Sequence, residues 1–118
     1  MTTEAHPDEF SVTVLPAGRA AFVRPHGELD LGTAPVLEQA LGQVEGCDTL
    51  VLDLRGLAFS DSSGVHLVVG ICERADARGW ELRIITGPPE VQRVFEITGG
   101  QERLLPYLHP PQHSGASL

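Results

Sequence analysis

Two kinds of apolar spacing take turns along this chain, and together they predict an α/β fold: one mixed sheet of four to five strands with helices packed on it. The first observation is a pair of adjacent alternating segments at the start, close enough in sequence to form a hairpin. The second is that every later strand-like segment is separated from the next by a run at helical spacing. Strand-helix-strand units close by right-handed crossovers, so the later strands should be parallel with helices over them. The third is length: 118 residues hold a single core and leave no room for a second.

The elements follow in order. Residues 1–8 are polar and are expected to be flexible. In Glu9 to Leu15, Phe10, Val12 and Val14 share one face of a half-buried strand. Pro16-Ala17-Gly18 marks a turn, and Arg19 to His26 continues as a second strand through Ala21, Phe22 and Val23. Pro25 lacks an N–H, which puts this strand's end at an edge or already leaving the sheet.

Thr33 is placed to cap a helix with Pro35 in its first turn. Val36, Leu37, Ala40, Leu41 and Val44 form its buried stripe, and Gly46 ends it. Thr49 to Leu54 is nearly continuous in β-favouring apolar residues, as in a central strand. Ser62 to Arg78 contains no proline and stops at Gly79, a suitable C′ residue, so a second helix is predicted there.

Trp80 to Thr86 reads as another strand. Pro88-Pro89 open a third helix, with Val91, Val94, Phe95 and Thr98 on one face, which Gly99-Gly100 stop. Gln101 to Leu108 carries Leu104, Leu105 and Leu108 and should dock as a last strand or turn. The order is β-β-α-β-α-β-α over residues 9–108. Residues 109–118, rich in proline, glycine and serine, read as a flexible tail.

Composition narrows the function. Hydrophobic residues make up 42% and charged residues 20%, the balance of a globular protein. Sixteen acidic against eight basic residues leave a net charge of -8. Such a surface repels phosphate backbones and anionic headgroups, so neither a nucleic acid nor a membrane is the expected partner. A partner with a basic surface is. All eight basic residues are arginine. The N-terminus has neither a basic nor an apolar stretch of a signal peptide, and the apolar run Leu67 to Cys72 is too short to span a bilayer. The cytoplasm is the expected location. Cys47 and Cys72 lack metal-ligand spacing, and Cys72, inside an apolar stretch, reads as a small core residue.

Chemistry in a parallel sheet concentrates at the rim where strands run into helix N-termini. Two segments should meet there: Gly27-Glu28-Leu29-Asp30 and Phe59-Ser60-Asp61-Ser62-Ser63-Gly64. Ser62 and Ser63 fall at the start of the second helix, where backbone N–H groups have no intrahelical partner. On spacing alone, Asp61 or Ser62 is an N-cap; equally, the free N–H groups and the helix dipole would accommodate a phosphate.

A hydrolase is poorly supported. The glycine of a Gly-x-Ser-x-Gly elbow is absent, and His26 and His66 suit a strand surface and a helix edge. Asp30, Asp53 and Asp61 could in principle gather around Mg²⁺. However, Asp53 lies within a strand with no phosphate-cradling loop after it, and no nucleotide fingerprint is present. The expectation is therefore no catalytic, metal or cofactor site.

Together the two rim segments resemble the STAS domain of bacterial anti-sigma factor antagonists. Gly27-Glu28-Leu29-Asp30 is similar to that family's first motif. Leu52-Asp53-Leu54 with Leu57-Ala58-Phe59-Ser60-Asp61-Ser62-Ser63-Gly64-Val65 is similar to its second. The resemblance implies a STAS-type single domain over 9–108 and a partner-switching cycle rather than an enzyme. A serine-kinase anti-sigma factor, which supplies ATP, would bind the unphosphorylated chain through Asp30, Asp61, Ser62, Ser63 and Gly64 and release a sigma factor.

In that cycle phosphorylation of Ser62 would end the complex, and a PP2C-type phosphatase would restore it. The antagonist itself would be a monomer or weak dimer. Asp30 and Asp61 would form an acidic rim with Ser62 between them. Three positions depart from the usual pattern: Ser60, His66 and Pro25. The competing expectation is a STAS scaffold or binding subunit of a transport or signalling assembly, in which Ser62 is never phosphorylated.

Overall fold

The structure, a computed structural model, describes residues 2–5 (backbone only), 10–44 and 46–108. The expected tail at 109–118 lies outside the described residues, as do residues 1 and 6–9 of the N-terminal segment.

The β2 (Ser11–Ala17) and β3 (Ala20–Leu29) hairpin forms as expected, turning at Gly18 with φ of 65°. Phe10, Val12 and Val14 are all buried. An additional strand, β1 (Thr2–Ala5), pairs antiparallel with β2, Thr2 opposite Val14. Polar composition concealed it, because an edge strand is held by backbone pairing and needs few apolar side chains. β4 (Thr49–Asp53) is central, parallel to β3 on one side and to β6 (Glu81–Ile85) on the other. The sheet order is β1-β2-β3-β4-β6.

The strand β3 corrects the sequence-based expectation at two points. It does not leave the sheet at Pro25 but runs ten residues to Leu29. Its first part, Ala20 to Val23, pairs with β4, and its last, Gly27 to Leu29, pairs with β5 (Leu57–Ser60). Pro25 falls between the two partners, where the missing N–H costs no ladder bond on that side. Gly27, with φ of 105°, sits at the register shift that starts the second pairing. The segment Gly27–Leu29 is thus strand rather than loop. Gly56 passes tightly over the same place: a Cβ there would lie 2.7 Å from the Pro25 carbonyl oxygen and 2.8 Å from His26 Nδ1.

Four α-helices are present among the described residues: α1 (Ala34–Gly42), α2 (Ser62–Arg78), α3 (Pro89–Thr98) and α4 (Gly100–Leu104). α1 stops at Gly42, short of Gly46. α2 ends on Gly79 at φ 77° and α3 on Gly99 at φ 83°, both left-handed caps. The last piece is helical, not a strand. α4 passes into a 3₁₀ turn at Leu105–Tyr107, and only Leu108 makes a bridge, to Ile84.

Val23, Leu52 and Ile84 from the sheet pack with Leu37, Val68, Ile71 and Phe95 from the helices in one core. Cys72 is buried within it, and burial pushes its thiol up to about 11. Along the strands the alternate residues Leu15, Phe22, Arg24 and Arg83 face the other way and stay exposed.

Candidate functional site

Parallel pairing of β3 with β5 brings the two motif segments together. Glu28 lies opposite Phe59 and Leu29 opposite Ser60, so both chains leave the sheet side by side. The Asp61 N–H donates to the Leu29 carbonyl at 3.1 Å and ties the ends together. The two aspartates that follow, Asp30 and Asp61, line one open depression with Glu28, Leu31, Gly32 and Thr33. The two motif segments thus meet at the strand ends, as the α/β rule predicts.

Each aspartate is also a structural cap. Asp30 Oδ1 accepts from the Gly32 N–H and the Thr33 N–H, both at 3.0 Å, which folds the entry to α1. Thr33 stands at the N-cap position but does not cap with its side chain, contrary to expectation. Its hydroxyl turns back, donating to the Glu28 carbonyl at 2.7 Å and accepting from the Asp30 N–H at 2.9 Å. That buried hydroxyl joins the end of β3 to the turn before α1.

At α2, Asp61 is the N-cap. Its Oδ1 accepts from the Ser63 N–H at 2.9 Å and the Gly64 N–H at 3.2 Å. Two of the N–H groups expected to be free for a phosphate are therefore already satisfied by a carboxylate. Of the two sequence readings of this turn, the cap is the one realised in the resting protein.

Ser62, the first residue of α2, is exposed, and its hydroxyl has no partner among the described residues. Asp61 adjoins it in the chain, but Ser62 lines a different groove, shared with His66, Thr98, Gly99 and Arg103. Ser63 faces a third depression, between α1 and α2, with Leu31, Pro35, His66 and Leu67. Successive residues on a helix point about 100° apart, which separates the two serines. Ser63 is half-buried, so Ser62 is the more accessible hydroxyl.

Gly64 is required by packing rather than by backbone freedom. A Cβ at this position would lie 2.9 Å from Leu29 Cγ and run into the Ser60 hydroxyl. Ser60 is fully buried and donates to the Asp61 carbonyl at 3.1 Å. A glycine here lets the first turn of α2 rest directly on the end of β3, and so sets where Ser62 emerges.

The remaining candidates separate from this rim. Asp53 is buried on the far side of the sheet, with Thr13, Arg24 and His26 lining the same depression. Arg55 grips it with Nε to Oδ1 and Nη2 to Oδ2, both at 3.0 Å, and Arg24 approaches to 3.6 Å. Burial alone would raise its pKa, but the hydrogen bonds from Arg55 and the charges of Arg24 and Arg55 outweigh it and hold the carboxyl below its ordinary value. Among the described residues no cluster of histidine, cysteine, aspartate and glutamate could hold a metal ion. His26 Nε2 meets Thr13 Oγ1 at 3.1 Å, and His66 is exposed on α2. Among the described residues no helix is long and apolar enough to cross a membrane.

Known proteins place this arrangement. The family model of the STAS domain matches residues 12–110. An anti-sigma-B factor antagonist of Staphylococcus aureus is 34% identical over 79 residues, 65% of this chain and 73% of that protein. An anti-sigma F factor antagonist of Paenibacillus polymyxa is 30% identical over 81 residues, 66% of this chain and 69% of that protein. Among solved structures, an anti-sigma factor antagonist from Mycobacterium paratuberculosis superposes with a TM-score of 0.70 at 28% identity, covering 83% of this chain and 85% of that one. The chain belongs to the STAS domain family, among relatives that are anti-sigma factor antagonists.

Proposed function

We propose that this protein is an anti-sigma factor antagonist that works by partner switching in the cytoplasm, with Ser62 as its phosphorylated residue. Unphosphorylated, it binds a serine-kinase anti-sigma factor through Asp30, Asp61, Ser62, Ser63 and Gly64, and the sigma factor is released. The kinase contributes ATP and the catalytic groups. The Ser62 oxygen attacks the γ-phosphorus, the bond to ADP breaks and the hydroxyl proton leaves to a base on the kinase. A PP2C-type phosphatase hydrolyses the phosphoserine and returns the chain to its binding form.

The observation that carries this reading is the unpartnered, exposed Ser62 hydroxyl at the first position of α2, next to a carboxylate that already occupies the helix N–H groups. Phosphorylation adds about 1.5 to 2 negative charges. Beside Asp61 that charge meets a like charge and finds two of the N-terminal donors taken. A partner surface shaped for a neutral hydroxyl then has to desolvate the added charge, and like-charge juxtaposition at an interface costs several kcal/mol. Every 1.4 kcal/mol is about a tenfold loss of affinity, so no refolding of the antagonist is needed. The relatives named as antagonists support the same assignment.

The test uses the full chain as bait in native-cell extract, as Ser62→Ala and as Ser62→Asp. Ser62→Ala retains an anti-sigma kinase and Ser62→Asp loses it at least tenfold. Equal retention by the two variants would remove the switch.

A further inference from the structure

The geometry points to His66 and Arg103 as the seat of a phosphoryl group carried on Ser62. This deepens the preceding proposal and rests on its reading of Ser62 as the modified residue.

Ser62 and His66 are four residues apart on α2, which places them one above the other on the same face. Side chains on a helix lean toward its N-terminus, so His66 reaches back over the turn that carries Ser62. His66 is exposed and lines the Ser62 groove, and Arg103 of α4 closes the groove's other wall. Val69, Thr98 and the backbone at Gly99 and Gly100 complete it. A Cβ at Gly100 would collide with Val65, so the start of α4 lies directly against α2 and carries Arg103 to the same side as Ser62.

The charges around the groove favour this direction over the alternative. Toward the cap, a phosphoryl group meets the Asp61 carboxylate, which holds the Ser63 and Gly64 N–H groups. Along the helix it meets an imidazole, which donates an N–H in either protonation state, and a guanidinium. Arg103 is held by Glu73 at 2.7 Å across an exposed pair, a bond that a dianion can share or displace. On the other side of His66, Glu38 of α1 lines the neighbouring depression, but it is paired with Arg74 at 2.8 Å. Among the described residues, His66 and Arg103 are the charged or titratable groups that line the groove, with Glu73, Glu38 and Asp61 beside them. The seat turns the phosphoryl group away from the aspartate rim and gives it a defined position on the antagonist's own surface.

The experiment takes the full chain with phosphoserine installed at position 62 during synthesis. Phosphorus NMR follows the second ionisation of the phosphate, which lies near pH 6 in an unperturbed phosphoserine. The chain with no other change is compared with His66→Gln, Arg103→Gln and the double variant. Each single change raises the phosphate's apparent pKa by about 0.3 units, and the double change raises it further. Superimposable titrations of the unsubstituted chain and the double variant overturn the inference. Because the phosphate is placed by synthesis, this result is independent of whether a kinase chooses Ser62. Failure of that reading shows separately, as a kinase-treated chain whose phosphoryl group maps to another residue.

Discussion

Two glycines of α2 have opposite reasons to be glycine. At Gly64 an added methyl group has no room, with Leu29 and the buried Ser60 hydroxyl in the way. At Gly70 nothing lies within 4 Å of the same methyl. Gly64→Ala should therefore destabilise the protein by about 1–3 kcal/mol through overpacking. Gly70→Ala should stabilise it by about 0.5–1 kcal/mol, because alanine loses less backbone freedom in a helix. Urea unfolding of the two variants measures both, and effects of one sign would contradict the packing assigned to Gly64. The pair separates a packing role for the motif glycine from a purely conformational one.

The thiols give a second residue-scale expectation. Cys72 is buried and its thiol is pushed up to about 11, whereas Cys47 is half-buried. The thiolate is the reactive form. At pH 8 a disulfide reagent should therefore modify Cys47 alone in the native chain and both thiols after denaturation. Rapid modification of two thiols in the native state would show that α2 does not close over Cys72.

At the scale of elements, the hairpin, the central strand and the first three helices were legible because each carries its own periodicity, whereas the short α4 was expected as a strand or turn. β5 was not legible. Of Leu57–Ser60 only Leu57 and Ser60 are buried, with Ala58 and Phe59 exposed between them, so no period of two appears. What makes it a strand is pairing with the end of β3, a tertiary effect outside the local pattern. Pro25 misled for a related reason: a proline normally marks a strand's end, but here the strand exchanges one parallel partner for another around it. The meeting of the two motif segments was legible from topology alone, through the rule that chemistry gathers at the strand C-termini. The capping roles of Asp30 and Asp61, and the groove that Ser62 lines, depend on side-chain directions that spacing does not fix.

Asp53 ties β4 to the turn after it through Arg55, and to β3 through Arg24. Its pKa is lowered on folding, so the folded state holds the carboxylate's proton less tightly than the unfolded chain does. The stability it contributes is fully present above the unfolded value of about 3.9 and is lost as pH falls through the lower folded value. Unfolding measured across the acid range should show a flatter loss of stability for Asp53→Asn than for the unsubstituted chain. The variant should also be less stable at pH 7, where two arginines lose their shared partner. Parallel acid limbs for the two proteins would mean that the pairing does not survive in solution.

For the molecule as a whole, a net charge of -8 and an acidic rim around Asp30 and Asp61 favour a basic partner. The sheet and helices place Ser62 at the start of α2, so the proposed switch needs only a change of charge at one hydroxyl. That economy is the central claim, and phosphosite mapping joined to binding tests it most directly. The chain is incubated with the kinase captured by Ser62→Ala and with ATP and Mg²⁺, then mapped by mass spectrometry and re-tested for binding. The account predicts a single phosphoryl group on Ser62 and at least a tenfold weaker complex. A phosphoryl group on Ser63, or a phosphorylated chain that binds as tightly as before, would contradict it.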